Sequence, residues 1–290
     1  MNLSIGIISM FYARPFGREH LALFPRMKRA GMDFVELLVP EPGELDLAQT
    51  RAAAADAGLG IVLAARVNLS RDLSSADDAA YRAGIDYLKS TVTIAKGLGA
   101  TIVGGPLYGA PLVFAGRPPA PVAEDRRLRT VDRVVAGLKE AGAYAADHGV
   151  TLAIEPLNRF ETDFCATTVQ GIDLCDRVGM ASVGLMLDTF HMNMEDPSMA
   201  EAILAAGPRV VHFQANENNR GFVGSGHVDW PAIARALKRI GYAGPVTLEP
   251  FRRNEERLGL SLAQWRAPHE DEDAALAASA AYLRTALAFA

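Results

Sequence analysis

Short apolar runs alternate with longer segments of helical periodicity along the whole chain of 290 residues. Each run is four to seven residues long and rich in Val, Ile or Leu. This pattern is typical of strands that are buried on both faces of a parallel sheet. The runs are SIGIISM (4–10), DFVELLV (33–39), GIVLAAR (60–66), ATIVGG (100–105), VTLAIE (150–155), VGLMLD (183–188), RVVHFQ (209–214) and PVTLE (245–249). The helical segments are 18–30, 46–57, 76–98, 123–148, 167–178, 198–205, 230–240 and 273–288.

Eight strands that alternate with eight helices predict an α/β fold, the TIM (β/α)8 barrel, as a single domain over residues 1–290. A doubly wound open sheet is the alternative, but it calls for a glycine-rich phosphate turn after the first strand, and SMFYARPFG (9–17) is not one. Asp229 and Pro231 predict the start of the helix at 230–240. The proline-rich segment 106–121 and the segment 250–272 are predicted to be long loops after strands four and eight.

Composition narrows the class of protein. Half of the residues are hydrophobic and 22% are charged, as in ordinary globular proteins. A net charge of −5 argues against a nucleic-acid partner, which usually requires a basic surface. No apolar run approaches the roughly 18 residues of a membrane span, and the N-terminus does not resemble a signal peptide. Cys165 and Cys175 are too few for a disulfide framework or a thiolate zinc site, so we expect a cytoplasmic location.

Three of the predicted strands finish on a carboxylate. Strand five ends in Glu155, strand six in Asp188 and strand eight in Glu249. In a barrel the carboxyl ends of all strands meet at one face, which is where active sites lie. Any one of these residues could be a helix cap, as Asp188 before a helix would be. Together they would repel one another unless a cation lay between them, so a metal site is the better interpretation.

Strand seven supplies a fourth candidate ligand. In VVHFQ, His212 and Gln214 have the same parity, so both can point inward. Gln214 lies nearer the carboxyl end, level with the three carboxylates, while His212 lies one layer deeper and is expected to act as a hydrogen-bonding partner rather than a ligand. A ligand set of Glu155, Asp188, Gln214 and Glu249 is rich in oxygen and suits Mn²⁺, Mg²⁺ or Co²⁺ better than Zn²⁺.

Polar residues also cluster on the loops that follow these strands, where substrate contacts are expected. Glu161 follows strand five, His191 follows strand six and Arg220 follows strand seven. Each could simply be a solvated surface residue, but their position beside the carboxylates favours a role in substrate binding.

The motifs as a set resemble those of the ketose 3-epimerases, the D-tagatose, D-psicose (D-allulose) and L-ribulose 3-epimerase group of the xylose isomerase-like TIM barrels. The resemblance runs from GIISM (6–10) to WRAPHEDED (265–273), and LDTFHMN with NRFE is its most specific part. It is carried by GIISM, VELLVPEP, ARVNL, GGPLYG, EPLNRFET, LDTFHMNMED, HFQANENNRG, LEPFRR and WRAPHEDED.

The resemblance implies an isomerase that epimerises free ketoses at C3 through an enediolate, with a divalent metal, most simply Mn²⁺, and assembly as a homodimer or homotetramer. Glu155 and Glu249 match the paired metal-binding glutamates that act as acid and base, and Asp188 matches the aspartate ligand. The residues that match those holding the oxygens around C1 to C3 of the ketose are Glu161, His191 and Arg220.

Gln214 departs from the pattern, because most of these epimerases have histidine there. Glutamine occurs at this position in relatives that resemble hydroxypyruvate isomerases, so an aldose–ketose or hydroxypyruvate-type isomerase with the same metal site is an alternative. An endonuclease of this barrel class would need a trinuclear zinc site rich in histidine, and the chain has six His. A sugar-binding protein without activity would not need two glutamates on either side of a metal.

Overall fold

A computed structural model describes residues 3–112, 124–251, 264–265 and 270–289 of the chain. Eight parallel strands in chain order form a closed barrel in which β1 pairs with β8. The predicted (β/α)8 barrel is therefore confirmed. The strands are β1 (Ile5–Ile8), β2 (Phe34–Leu38), β3 (Gly60–Ala64), β4 (Ile102–Gly105), β5 (Thr151–Ile154), β6 (Val183–Asp188), β7 (Val210–Ala215) and β8 (Val246–Leu248).

Helices surround the barrel close to the predicted positions. Within the described ranges they are α1 (Phe24–Arg29), α2 (Leu47–Asp56), α3 (Asp78–Leu98), α4 (Glu124–His148), α5 (Thr168–Val178), α6 (Thr189–Glu195), α7 (Met199–Ala206), α8 (Trp230–Arg239) and α9 (Glu272–Ala288).

Two helices differ from the prediction. The segment 18–30 is divided into a 3-10 helix, Arg18–Leu23, and α1, where Pro25 in the first turn has no N–H to continue the preceding hydrogen bonds. The short helix α6 was not predicted, since seven residues carry little periodicity. As predicted, Asp229 caps α8 by accepting a hydrogen bond from the backbone N–H of Ala232.

The barrel interior is filled with side chains rather than forming a pore. Every residue of β1, β2 and β6 is buried. At Gly104 a Cβ atom would collide with the sulfur of Met186, so the inside of β4 accepts no side chain there. Among the described residues, none of the helices is long and apolar enough to cross a membrane. Most of the two predicted loops, 106–121 and 250–272, lies outside the described residues.

Candidate active site

The four strand-end residues come together at the carboxyl end of β5 to β8. Glu155 and Glu249 directly follow β5 and β8, while Asp188 ends β6 and Gln214 lies in β7. Asp188 pairs with Gln214 in the register of β6 and β7, so the two side chains lie at the same level. All four residues are at most 6% exposed. The predicted ligands thus lie at the same end of four neighbouring strands, and all four are buried.

The two oxygens of Asp188 have different roles. Oδ1 accepts hydrogen bonds from the backbone N–H of Phe190 at 2.8 Å and from Nδ2 of Asn216 at 2.9 Å. The first of these is the helix cap that the local sequence suggested. Oδ2 is buried and has no hydrogen-bond partner among the described residues, with Nε2 of His191 3.5 Å away. Asp188 therefore caps α6 with one oxygen and presents the other to the site.

Gln214 is oriented by a residue that the sequence analysis missed. Its Nε2 donates to Oε1 of Glu36 at 3.0 Å, which leaves its own Oε1 buried and without a hydrogen-bond partner in the described part of the chain. The other oxygen of Glu36 lies 2.8 Å from Nε2 of His212. The only signal for Glu36 was a single carboxylate within the apolar run FVELL.

Asn216 contacts both Asp188 and Glu249. Its Nδ2 donates to Oδ1 of Asp188 at 2.9 Å and lies 3.2 Å from Oε2 of Glu249. The hydroxyl of Thr189 fixes the Asn216 backbone, because it donates to the carbonyl at 2.7 Å and accepts from the N–H at 2.8 Å. These hydrogen bonds hold the carboxylates of Asp188 and Glu249 close to each other.

Burial and mutual repulsion disfavour the charged forms of the two glutamates. The pKa of Glu155 is raised well above its ordinary value, first by burial and then by the negative charges of Glu249 and Asp188. The pKa of Glu249 is also raised well above its ordinary value, mainly by burial. A cation would offset this cost, and Asp188 and Gln214 each offer a buried oxygen that has no hydrogen-bond partner among the described residues. The residues present therefore fit a divalent cation with oxygen ligands.

His191 also lies within this group, since one ligand atom each of Glu155, Asp188 and His191 lie within 4.8 Å of one another. However, the backbone N–H of Asn158 donates to Nδ1 of His191 at 3.0 Å, and an N–H can only donate. Burial lowers the pKa of His191, so the neutral ring carries its single hydrogen on Nε2. That nitrogen is then a donor, suited to an oxygen of a substrate rather than to a metal.

The guanidinium of Arg220 lies beside Nε2 of His191. Its Nη2 lies 3.3 Å from Nε2 of His191, so two donors meet where one oxygen could accept from both. The guanidinium lies between the rings of Phe190 and Phe251, 4.2 and 4.5 Å from their centroids. The backbone of Arg220 has a φ of 55°, a sparsely populated conformation that occurs often at functional sites.

Glu161 completes this side of the site. Nη1 of Arg220 donates to its Oε1 at 3.1 Å, and Nδ2 of Asn158 donates to the same oxygen at 3.0 Å. Burial alone would raise the pKa of Glu161, but the positive charge of Arg220 and the hydrogen bonds from Asn158 and Arg220 outweigh it, and the pKa lies below its ordinary value. Glu161 is therefore a charged acceptor beside two donors.

Most of these residues line one cavity of about 260 Å³, and Gln214 is among them. The cavity wall contains Glu155, Glu161, His191, Arg220 and Glu249. An apolar cluster forms another part of the wall: Ile8, Met10, Leu38, Ala64 and Phe251. A pocket with convergent polar groups and a partly apolar wall is the usual form of a site for a small molecule.

Comparison with known proteins gives consistent matches over most of the chain. The family model described as a xylose isomerase-like TIM barrel matches residues 24–286. The L-ribulose 3-epimerase of Methylomonas sp. is 32% identical over 84% of this chain and 84% of its own length. The D-psicose 3-epimerase of Agrobacterium fabrum is 32% identical over 90% of this chain and 89% of its own. A solved structure of L-ribulose 3-epimerase superposes with a TM-score of 0.90 at 30% identity, covering 99% of this chain and 95% of the other.

Proposed function

The chain belongs to the ketose 3-epimerase group of the xylose isomerase-like TIM barrels, enzymes of the isomerase class, and we propose that it epimerises a ketose at C3 with the help of a divalent cation. The observation that carries this proposal is the placement of Glu155 and Glu249. Both are buried in the wall of one cavity, three strands apart around the barrel. A sugar that lies across the mouth of the barrel can have one glutamate on each face.

The proposed ligands of the cation are Glu155, Asp188, Gln214 and Glu249. Mn²⁺ is the proposed ion because it prefers oxygen donors, and Mg²⁺ or Co²⁺ are the alternatives. A cation held there supplies Lewis-acid stabilisation of the negative charge that develops on oxygen when a proton leaves the carbon next to a carbonyl. Two observations support this ligand set. Oε1 of Gln214 is buried and has no hydrogen-bond partner within the described residues. The same is true of Oδ2 of Asp188.

Epimerisation requires that the proton leave one face of C3 and return to the other. One glutamate takes the proton as a carboxylate, and the other gives a proton as a carboxylic acid. Glu155 and Glu249 can take part in this exchange because both carboxyl groups line the cavity from strands that are three places apart around the barrel. In the reverse direction the two residues exchange roles.

His191, Arg220 and Glu161 are proposed to orient the substrate. The hydrogen on Nε2 of His191 and the guanidinium of Arg220 both donate toward one position, which suits a carbonyl or hydroxyl oxygen near the reacting carbon. Glu161 accepts a hydrogen bond from Arg220 and can accept another from a sugar hydroxyl. Assembly as a homodimer or homotetramer remains a prediction, which sedimentation velocity would measure.

The second candidate function is an aldose–ketose or hydroxypyruvate-type isomerase, which Gln214 favours. The two reactions differ in the carbon that loses its proton. We would incubate the enzyme and Mn²⁺ with D-fructose, D-tagatose, D-psicose, L-ribulose and hydroxypyruvate in heavy water, and examine the products by NMR. Deuterium at C3 of a ketose product is the expected result. Deuterium at C2 of an aldehyde product, or at C1 of the recovered ketose, with none at C3, would instead establish the isomerase.

The variant Glu155→Gln tests the proposed acid and base roles. It should lose turnover while it still binds the ketose, because the side chain keeps its shape but can no longer accept a proton. Binding measured by calorimetry together with absent turnover separates an enzyme from a sugar-binding protein. Full turnover by Glu155→Gln would contradict the proposed acid and base roles.

A further inference from the structure

The loop between β7 and α8, residues 216–229, contains a buried carboxylate that the proposed reaction does not use. Glu217 lies three residues before Arg220 and is fully buried, with 0% of its surface exposed. A buried carboxylate is costly unless hydrogen-bond donors surround it. The described residues that line the active-site cavity do not include Glu217, so its carboxylate serves something other than direct contact with a substrate.

Three N–H groups satisfy the carboxylate of Glu217. Oε1 accepts from Nε1 of Trp230 at 2.8 Å and from the backbone N–H of Gly224 at 2.7 Å. Oε2 accepts from the backbone N–H of Val228 at 3.3 Å. Trp230 is the first residue of α8, so these bonds tie the middle and the end of the loop to a residue that follows β7. The loop is thus folded around the side chain of Glu217.

Gly226 lies against this carboxylate. A Cβ atom at Gly226 would collide with Oε2 of Glu217 and with Oδ1 of Asn218. Oδ1 of Asn218 accepts a hydrogen bond from the backbone N–H of His227 at 3.1 Å, which closes the same part of the loop. A larger residue at position 226 must therefore displace the carboxylate, so the loop can be perturbed without changing Glu217 itself.

The backbone of Arg220 is held between Glu217 and the residues after β8. The carbonyl of Glu217 accepts from the N–H of Arg220 at 2.9 Å, and the carbonyl of Arg220 accepts from the N–H of Phe251 at 2.8 Å. Arg220 has a φ of 55°, a conformation that persists only where the surrounding structure enforces it. The direction in which the guanidinium leaves the backbone therefore depends on the loop that Glu217 holds together.

We propose that Glu217 is a positioning residue for Arg220. Its carboxylate holds the loop in the conformation that places the Arg220 guanidinium beside Nε2 of His191. The inference rests on the proposed role of Arg220 in orienting the ketose, and it adds a residue that touches neither the ketose nor the cation.

Crystal structures of two variants test the geometry without any ketose. Glu217→Ala loses all three hydrogen bonds, and we expect the Arg220 guanidinium to move by about 1 Å or more, a misplacement that can cost about 100-fold in rate. Glu217→Gln can keep an acceptor oxygen for Trp230 and Gly224, but it then turns an NH2 group toward the N–H of Val228. We therefore expect a smaller displacement in Glu217→Gln than in Glu217→Ala.

Kinetics test whether Glu217 acts through Arg220. The substrate is whichever of D-fructose, D-tagatose, D-psicose and L-ribulose the Mn²⁺ enzyme turns over fastest. Glu217→Ala should lower kcat/KM by about 10- to 100-fold, and Glu217→Gln by less. In an Arg220→Ala background, Glu217→Ala should lower kcat/KM by less than about threefold, because the group that it positions is already absent. A general structural defect would lower kcat/KM by the same factor in both backgrounds.

A matched control removes a carboxylate that stabilises another part of the barrel. Asp77 is exposed and caps α3 by accepting from the backbone N–H of Ala79 at 2.8 Å. Asp77→Ala should lower stability and leave kcat/KM unchanged. If Glu217→Ala fails to fold, Gly226→Ala takes its place, because it displaces the same carboxylate; it too should lower kcat/KM, and only when Arg220 is present.

The inference is overturned if the Arg220 guanidinium keeps its place in Glu217→Ala, or if Glu217→Ala lowers kcat/KM equally with and without Arg220. In either case turnover by the unaltered enzyme still supports the proposed function. If the unaltered enzyme turns over none of the four ketoses, the proposed function fails, while the crystal structures still decide whether Glu217 positions Arg220.

Discussion

Replacing Glu36 should weaken metal binding although Glu36 is not one of the proposed ligands. Its carboxylate accepts from Nε2 of Gln214 at 3.0 Å and lies 2.8 Å from Nε2 of His212, and it is fully buried. The first contact keeps Oε1 of Gln214 turned toward the carboxylates. Without it the amide can rotate or invert, and the ligand oxygen is no longer held in position.

The magnitude follows from these two contacts. Glu36→Leu leaves the buried Nε2 of Gln214 without its acceptor, while Nε2 of His212 keeps the hydroxyl of Thr247 at 3.4 Å, so the free energy of unfolding should fall by about 1–3 kcal/mol. Loss of a residue that orients a ligand typically costs 10–100-fold in metal affinity. Removal of a nearby negative charge acts in the same direction. Glu36→Gln keeps one acceptor oxygen for Gln214, so we expect a smaller loss of affinity than with Glu36→Leu.

The assay is titration of metal-free protein with Mn²⁺ by electron paramagnetic resonance, which counts free Mn²⁺ and does not depend on turnover. Urea unfolding of the same samples measures stability separately. The expected order of affinity is unaltered protein, then Glu36→Gln, then Glu36→Leu. A folded Glu36→Leu protein that binds Mn²⁺ as tightly as the unaltered protein would refute the argument that Glu36 positions Gln214.

Three further predictions concern the same site. Chelation should abolish turnover and Mn²⁺ or Co²⁺ should restore it; full turnover by a metal-stripped sample would contradict the ligand set. Gln214→Ala should weaken Mn²⁺ binding more than His212→Ala, and Gln214→His should make binding weaker below about pH 6.5, where imidazole takes up a proton; titrations at pH 5.5 and 7.5 measure both effects, and a stronger effect of His212→Ala would reverse the assignment. The metal-free protein should lose stability as pH rises, because the raised pKa of Glu155 and Glu249 lets the folded state hold protons that the unfolded chain releases above about pH 4.3; urea unfolding at several pH values should show a steeper loss than in Glu249→Gln, and equal slopes would count against it.

The fold and the positions of the strand-end residues could be predicted from local pattern alone. A strand buried on both faces must be apolar throughout, so eight such runs separated by amphipathic segments leave few architectures other than a closed barrel. The end of each run then marks the catalytic face, which located Glu155, Asp188 and Glu249. The alternation of side chains also predicted that Gln214 lies level with Asp188. The two residues are paired in the register of β6 and β7.

The sequence did not indicate Glu36, because its partners lie 176 and 178 residues away. Nothing within β2 distinguishes a carboxylate that orients Gln214 from one that pairs elsewhere. The proton position on His191 likewise depends on a backbone N–H, that of Asn158, 33 residues away, and no sequence pattern describes it.

The sequence by itself therefore determined the barrel, the face that carries the candidate site and the residue types of the proposed ligands, because these follow from hydrophobic periodicity and from the two-residue repeat of strands. Only the tertiary structure decided which atoms are free to act. Burial, register and long-range hydrogen bonds leave Oε1 of Gln214 and Oδ2 of Asp188 without hydrogen-bond partners among the described residues. These contacts join residues far apart in the chain, so they arise only when all eight strands close around one axis.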